Sequence, residues 1–427
     1  MYFSARTVTG LAVFITFAFF YTVTTLSARD PTSVFFSPRK GYAPRYSAIR
    51  RQQAQAFIQS YSSAASSSVV KAADDKRKLC VGIPSYRRDN SRHLPSAMGS
   101  LLEGLTPEER REIYLMVFIT HSNPNHHPAY NEEWLAGLAD EVLTYKFGDD
   151  QMQGIRNMEA KGGAFIEKGL FDYEYLLKKC AEQYTPYIAI IDDDTVAMDG
   201  WYHRTIAAID EAERQAAIVH SKPDFLYLRL FYTEEFWGWN AEYWHTYLYY
   251  SMFVAAIPTA LLFVIRFTMP TTKYSLALTT RRSMIAIYAM TGTSILLFFA
   301  LGRTTVLPLP IGVHEMPAFG CCSQAFVFPT QKVVDLISYF RERRIGNTEV
   351  LIEDYANERN ELRYAITPSV IQHVGRSNRE TDFKPRSEKE KIWSFGFERY
   401  DWTVLKKEHE EVAREKNMDL KHKATAS

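Results

Sequence analysis

The sequence predicts an α/β fold whose ligand crevice lies at the carboxyl edge of its sheet, with a membrane hairpin inserted into the domain. Three observations predict it. Residues 79 to 119 read as strand, helix, strand. The run "IAIIDDDTVAMDGW" sends an apolar strand into three consecutive acids, and two apolar stretches of near-spanning length interrupt the chain between residues 245 and 303.

The chain has 427 residues and a formal net charge of +1, so it has room for a large core and gives no reason to invoke nucleic acid. Thr7 to Leu26 is uncharged and apolar, about the 20 residues a bilayer requires. No small-x-small cleavage site follows cleanly, so residues 1–28 read as an uncleaved anchor rather than a signal peptide. Residues 29–78 read as a flexible stem, because "QAQAFIQSYSSAASSSVVKAADDKRK" within them is Ser/Ala-rich and then charged. The first domain segment, 79–244, opens with "LCVGIPSY", a strand that ends in Gly-x-Pro and is followed by Arg87 and Arg88. A helix through "LPSAMGSLLEGLTPEERREI" and a strand "YLMVFIT" complete a β-α-β unit whose loop suits a nucleotide. The G-x-G-x-x-G fingerprint is absent, which disfavours a dinucleotide.

Ile188 to Ile191 are β-branched or small, as in a strand buried on both faces, and Asp192, Asp193 and Asp194 follow directly. Three adjacent carboxylates repel one another, and a divalent cation would neutralise them. A helix-capping turn accounts for one or two acids, not three. A calcium loop fails because Val196 and Ala197 occupy positions that need a ligand and a glycine. The D-x-D-x-[TV] nucleophile motif of haloacid-dehalogenase phosphatases is matched by Asp192, Asp194 and Val196, but roughly a hundred residues of α/β pattern precede it.

Tyr247 to Ile265 and Met284 to Leu301 lack a polar face, and aromatic residues crowd the approach to the first. The loop between them carries Arg266, Lys273, Arg281 and Arg282 and no acid, which puts it in the cytoplasm by the positive-inside rule. The flanking segments 79–244 and 304–400 are then lumenal, and the anchor runs from a cytoplasmic N-terminus. Residues 401–427 read as a charged, solvated helix. Cys80, Cys180, Cys321 and Cys322 allow three pairings, and no zinc spacing accompanies them.

"GIPSYRR", "SLLEGLTPEER", "VFIT", "EKGLFDYEYLL", "YIAIIDDDTVAMDGW" and "PSVIQHVG" occur in the order of the GT-A N-acetylglucosaminyltransferase IV group. With the hairpin between "FWGW" and "CCSQAFVFP", residues 79 to 376 closely resemble the post-GPI-attachment factor 4 family. That resemblance implies a Golgi GT-A enzyme that transfers N-acetylgalactosamine from UDP-GalNAc to a mannose of the GPI anchor, in β linkage. It implies donor contacts from Pro84, Arg87, Lys168, Asp172, Asp192 and Asp193. It also implies a Mn²⁺ or Mg²⁺ site made by Asp194, supported by Asp192, with His373 as the late histidine. The family usually carries Glu-Asp-Asp where this chain has Asp192-Asp193-Asp194.

Transfer also requires a base for the acceptor hydroxyl. The segment "GNTEVLIEDYANE", after the glycine loop at Gly320, offers Glu349, Glu353 and Asp354. Glu349 and Glu353 share a helix face; position within the family pattern favours Glu349, while "EDY" resembles the acidic motif of other GT-A enzymes and favours Asp354. Trp237 and Trp239 have the aromatic character that stacks on sugar faces and equally that of a membrane-interface belt. Transfer to N-glycans, phosphatase chemistry and an inactive membrane adaptor are the competing expectations.

Overall fold

The computed structural model describes residues 5–63, 70–87, 92–160, 165–316, 322–375 and 392–426. Arg88, Gly320 and Cys321 lie outside the described residues. The chain divides into two compact units, one containing Met1–Ala43 and Glu234–Leu309, the other Pro44–Thr233 and Pro310–Glu380 with the C-terminal region.

The larger unit is built on ten strands: β1 Leu79–Ser85, β2 Ile113–Ile119, β3 Glu141–Leu143, β4 Tyr187–Ile191, β5 Thr195–Ala197, β6 Tyr227–Arg229, β7 Gly312–Glu315, β8 Ala325–Pro329, β9 Arg363–Thr367 and β10 Ile371–His373. Among the described residues, eight form one sheet in the order β3-β2-β1-β4-β8-β6-β9-β7, while β5 and β10 pair separately. The first four strands of that order run parallel, and β8 lies antiparallel between β4 and β6. Successive side chains in a strand face opposite ways. Leu79, Val81 and Ile83 of β1 accordingly join one core with Leu115, Val117 and Ile119, while Cys80 joins the other with Met116, Phe118, Ile188 and Ile190. A sheet covered on both faces needs apolar residues at consecutive positions, which explains the unbroken apolar runs of β1, β2 and β4. Cys80 is bonded to Cys180, fastening β1 to the helix Phe165–Ala181.

The helix expected through residues 94–113 is two. Leu94–Leu102 ends before Gly104, whose φ of 87° reverses the chain, and Pro107–Glu112 restarts under a capping box between Thr106 and Glu109.

The flexible stem expected over 29–78 is corrected for residues 46–63, while residues 64–69 lie outside the described residues. Tyr46–Ser63 is a helix docked on Leu94–Leu102, with Tyr46, Arg50, Ala54 and Ile58 buried. Arg50 is 1% exposed and donates to the Ala197 carbonyl at 2.9 Å, the Ser100 carbonyl at 2.9 Å and Gln53 Oε1 at 2.8 Å, and pairs with Glu103. Gly99 permits this approach, since a Cβ there would lie 2.4 Å from the Ala54 carbonyl oxygen. The close approach is made by Ala54 against Gly99, two residues with little or no side chain.

The C-terminal helix Trp402–Ala426 is not wholly solvated either. Leu405 enters the core, Arg204 pairs with Glu408, and His409 is buried with Nδ1 2.7 Å from Asp199 and Nε2 3.0 Å from Glu109.

In the smaller unit, Trp244–Thr268 and Arg281–Ala300 are long and apolar enough to cross a membrane, and none of their window residues is buried in the protein. Ala5–Ser27 is also helical. The segment after it is tied to the end of the second span: Val34 N donates to the Ala300 carbonyl at 2.9 Å, and Thr305 N donates to Asp30 at 2.7 Å. Trp239 packs on Tyr247, Phe298 and Phe299 and donates to the Phe299 carbonyl at 3.0 Å, while the Trp237 carbonyl accepts from Arg303 at 3.3 Å.

Burial lowers the His409 pKa, but hydrogen bonds to Asp199 and Glu109 outweigh it and raise it to about 9. A raised histidine pKa stabilises the fold fully below the ordinary value of 6.5 and loses that contribution as pH rises through about 9. In buffer containing a chelator, the Tm should therefore fall between pH 6.5 and 9. His409→Gln should flatten that slope; an unchanged slope in the variant would remove His409 as its cause.

Candidate active site at the carboxyl edge of the sheet

Parallel strands end on one edge, so Ser85, Ile119 and Ile191 deliver the residues after them to a common crevice. Arg229 reaches the same edge because β4 and β6 are both antiparallel to β8. The three aspartates meet three different surroundings there.

Asp193 is 2% exposed and accepts a hydrogen bond from Ser85 Oγ at 2.6 Å. His127 Nε2 lies 3.1 Å from the same Oγ, and His127 Nδ1 accepts from Ala129 N at 3.3 Å. That acceptance assigns the proton to Nε2, so the imidazole donates to Ser85 while the serine proton goes to Asp193. The polarity is opposite to that of a serine nucleophile, whose histidine accepts the hydroxyl proton. The cluster instead fixes the floor of a pocket lined by Tyr86, Arg87, Arg92, His93, His127 and Asp193. Arg87 is exposed at its rim, with its backbone N donating to His121 Nε2 at 2.8 Å. Pro84 is half-buried within β1, opposite Phe118.

Asp194 is held differently. Pairing of β5 with β10 sets His373 opposite Thr195, and Val374 N donates to the Asp194 carbonyl at 2.7 Å. His373 Nε2 then faces Asp194 Oδ2 at 3.5 Å, while His373 Nδ1 lies 3.0 Å from the Ile392 carbonyl. A carbonyl only accepts, so Nδ1 carries the proton and the Nε2 lone pair points toward a carboxylate. Two electron-rich atoms turned toward each other are the arrangement a cation resolves. Gly375 leaves space beside them, for a Cβ there would fall 2.6 Å from Asp194 Oδ2 and 2.7 Å from His373 Nε2. One carboxylate and one imidazole fit a divalent ion such as Mn²⁺.

Asp192 is half-buried, and its backbone N donates to the Gln324 carbonyl at 2.9 Å. Burial first, then the Asp192 charge, pushes the nearby Tyr173 hydroxyl well above its ordinary pKa.

Lys168 and Asp172 lie behind this edge. Lys168 Nζ donates to the Thr120 carbonyl at 2.8 Å, Tyr145 Oη at 2.8 Å and Asp172 Oδ2 at 2.7 Å. Those contacts use the three donors of an ammonium. Thr120 N and Oγ1 in turn donate to the Ser85 carbonyl at 3.0 and 3.1 Å, so the pair braces Ser85 and, through it, Asp193. Burial raises the Asp172 pKa to about 6, against the lowering effect of Lys168.

The three candidate bases also separate. Glu353 is buried, with Oε1 accepting from Tyr227 Oη and Arg229 Nη2 at 2.5 Å each and Oε2 accepting from Arg363 Nη1 at 3.0 Å. Its oxygens are committed to holding β6 and β9 to the helix Thr348–Glu358. Asp354, one residue on, turns outward and is exposed. Glu349 is half-buried and accepts from Cys322 N at 3.2 Å, in the segment whose Gln324 borders Asp192. Sequence reasoning missed Ser85, His127 and Gly375. A strand-end serine and a lone histidine carry no spacing signal, and what groups them is tertiary pairing. Trp237 and Trp239 belong to the smaller unit, where Trp239 is committed to the aromatic cluster at the second span.

The sequence model of the family described as GPI-N-acetylgalactosamine transferase PGAP4 matches residues 79–372, from the first residue of β1 into β10 and across the hairpin. No curated protein matches the chain.

Because Glu353 neutralises the buried Arg229, Glu353→Gln should cost about 3–5 kcal/mol of stability through the unpaired charge. Asp354→Asn at its exposed position should stay within about 0.5 kcal/mol. Chemical denaturation of the two variants decides; a wild-type midpoint for Glu353→Gln would return it to candidacy as the base.

Proposed function

This chain belongs to the PGAP4 family of GPI-N-acetylgalactosamine transferases, and we propose that it moves N-acetylgalactosamine from UDP-GalNAc onto a mannose of the GPI glycan with inversion at the anomeric carbon. The observation that carries this reading is the family match itself, which covers every strand of the main sheet together with the inserted hairpin. The crevice supports it, since a pocket with arginine and histidine walls adjoins Asp193 while Asp194 and His373 converge beside it.

The uridine would occupy the pocket between Tyr86, His93 and His127, with Asp192 on the ribose side. Asp194 and His373 would hold Mn²⁺ or Mg²⁺, which when bound stabilises the charge growing on the UDP leaving group. Glu349 would take the acceptor hydroxyl proton as that oxygen attacks from the face opposite UDP. The Cys322 N–H bond orients its carboxylate. Glu353, Arg229 and Arg363 hold this helix against β6 and β9.

A GPI acceptor is confined by its lipid to a thin layer beside the bilayer. We read Ala5–Ser27, Trp244–Thr268 and Arg281–Ala300 as three spans, with the basic loop of the hairpin cytoplasmic and the catalytic unit in the Golgi lumen. Three spans would hold the chain at the bilayer surface where the acceptor is confined, raising the effective concentration of acceptor. Mass spectrometry of GPI glycans from cells with and without this protein tests the activity. Loss of a HexNAc-bearing GPI glycan in its absence is the expected result, and an unchanged glycan profile would overturn the reading.

Asp194→Ala removes a carboxylate ligand and should abolish metal-dependent UDP binding, measured calorimetrically with Mn²⁺. Wild-type affinity in that variant would end the metal assignment. Glu349→Gln should leave UDP-sugar binding nearly intact while transfer falls by roughly 10²–10⁴-fold, the usual loss for a general base. Normal transfer by Glu349→Gln alongside a dead Asp354→Asn would shift the role to Asp354.

A further inference from the structure

A second group of metal-ligating side chains lies away from the strand-edge aspartates, where the C-terminal helix meets the catalytic unit. Glu109 of the helix Pro107–Glu112, His203 of Trp201–Val219 and His409 of Trp402–Ala426 each place one ligand atom within 4.8 Å of the others. We propose that these three residues bind a zinc ion that fastens the C-terminal helix to the domain.

His203 carries the argument. Its side chain is 9% exposed, yet among the described residues neither ring nitrogen has a hydrogen-bond partner, the Glu408 carboxylate standing 3.8 Å from Nε2. A buried polar atom left in that state costs about 1–3 kcal/mol. The ring is nonetheless accommodated with care: a Cβ at Gly200 would lie 2.4 Å from His203 Cε1, so glycine at this left-handed position is what admits it. The imidazole packs against His409 with 5.2 Å between ring centres. Burial, and then the charge of His409, lowers the His203 pKa to about 4, leaving it in the neutral form that ligates metals.

The surroundings match a metal site as well. Asp199 Oδ1 sits 2.7 Å from His409 Nδ1, the carboxylate-to-histidine support that orients metal-bound imidazoles. Two imidazoles and one carboxylate are a zinc ligand set, with a fourth position left for water or an anion. Without metal, a proton on His409 Nε2 bridges to Glu109 at 3.0 Å. On binding, the Nε2 lone pair of His409 forms the bond to zinc, that proton leaves to solvent, and the Nδ1 proton stays with Asp199. The positive charge that links the helix to Glu109 is thereby exchanged for a larger one that also engages His203.

The test uses full-length protein in detergent, with Asp194→Ala as the parent so that the site beside His373 does not contribute. Chelator-stripped protein is titrated with zinc chloride, desalted and assayed for bound metal, and its Tm is recorded with and without zinc. One zinc per chain and a raised Tm are expected for the parent. His203→Ala and His203→Gln should lose both responses while melting cooperatively without metal. Asp199→Asn should weaken zinc binding by about 10–100-fold. A parent that retains no zinc, or His203 variants that bind it as the parent does, would leave a proton-bridged ion-pair cluster and overturn the proposal.

Discussion

Three adjacent carboxylates at the end of β4 set the central constraint on this molecule. Their charges repel, and an apolar strand gives them no local compensation. The fold meets the problem by giving each a different neighbourhood. Asp193 turns into the protein onto the Ser85 hydroxyl, Asp194 turns toward His373 and the space beside Gly375, and Asp192 stays half-buried beside the 322–324 segment. Each neighbour comes from a distant stretch of chain. β1 must lie beside β4, β10 must pair with β5, and the segment before β8 must return to the same edge.

Buried and half-buried cations hold that edge behind the site. Arg229 bridges Glu353 and the Cys322 carbonyl, Lys168 bridges Asp172 and Thr120, and Arg50 grips the Ala197 carbonyl just past the aspartates. Burying a charge is costly unless it is paired and hydrogen-bonded. These side chains meet both conditions, and each spends its donors on backbone carbonyls as well as carboxylates. They define positions, whereas an apolar core of the same volume would leave the edge free to repack.

The topology also explains how a pair of long apolar helices can interrupt a sheet protein. The insertion falls between β6 and β7, which are not hydrogen-bonded to each other; β6 pairs with β8 and β9, and β7 adds to β9 at the end of the strand order. The insertion therefore does not open a hairpin between consecutive strands, although the pairs β4–β8, β6–β8 and β6–β9 join strands on either side of it in sequence. A long insertion into a connection costs only a slowly growing loop-closure entropy, so the sheet tolerates it.

The fold class and the acidic strand end were legible in the sequence because both are short-range patterns: apolar runs of strand length, a turn, and charges at the next positions. The two long apolar helices between β6 and β7 were legible for the same reason. Choosing among Glu349, Glu353 and Asp354 was not, since a helix period of 3.6 residues tells which share a face but not what that face meets. Only tertiary structure set Glu353 between two arginines, turned Asp354 outward and brought Glu349 to Cys322. The segment 46–63 and the residues around His409 misled for a related reason. Ser/Ala-rich and charged stretches describe solvated chain when read alone, and become buried helix surface only where distant partners such as Gly99, Glu109 and Asp199 supply close approach and counter-charge. Composition fixes what a segment is able to bury; which distant groups complete it is decided by the paths of other strands and helices.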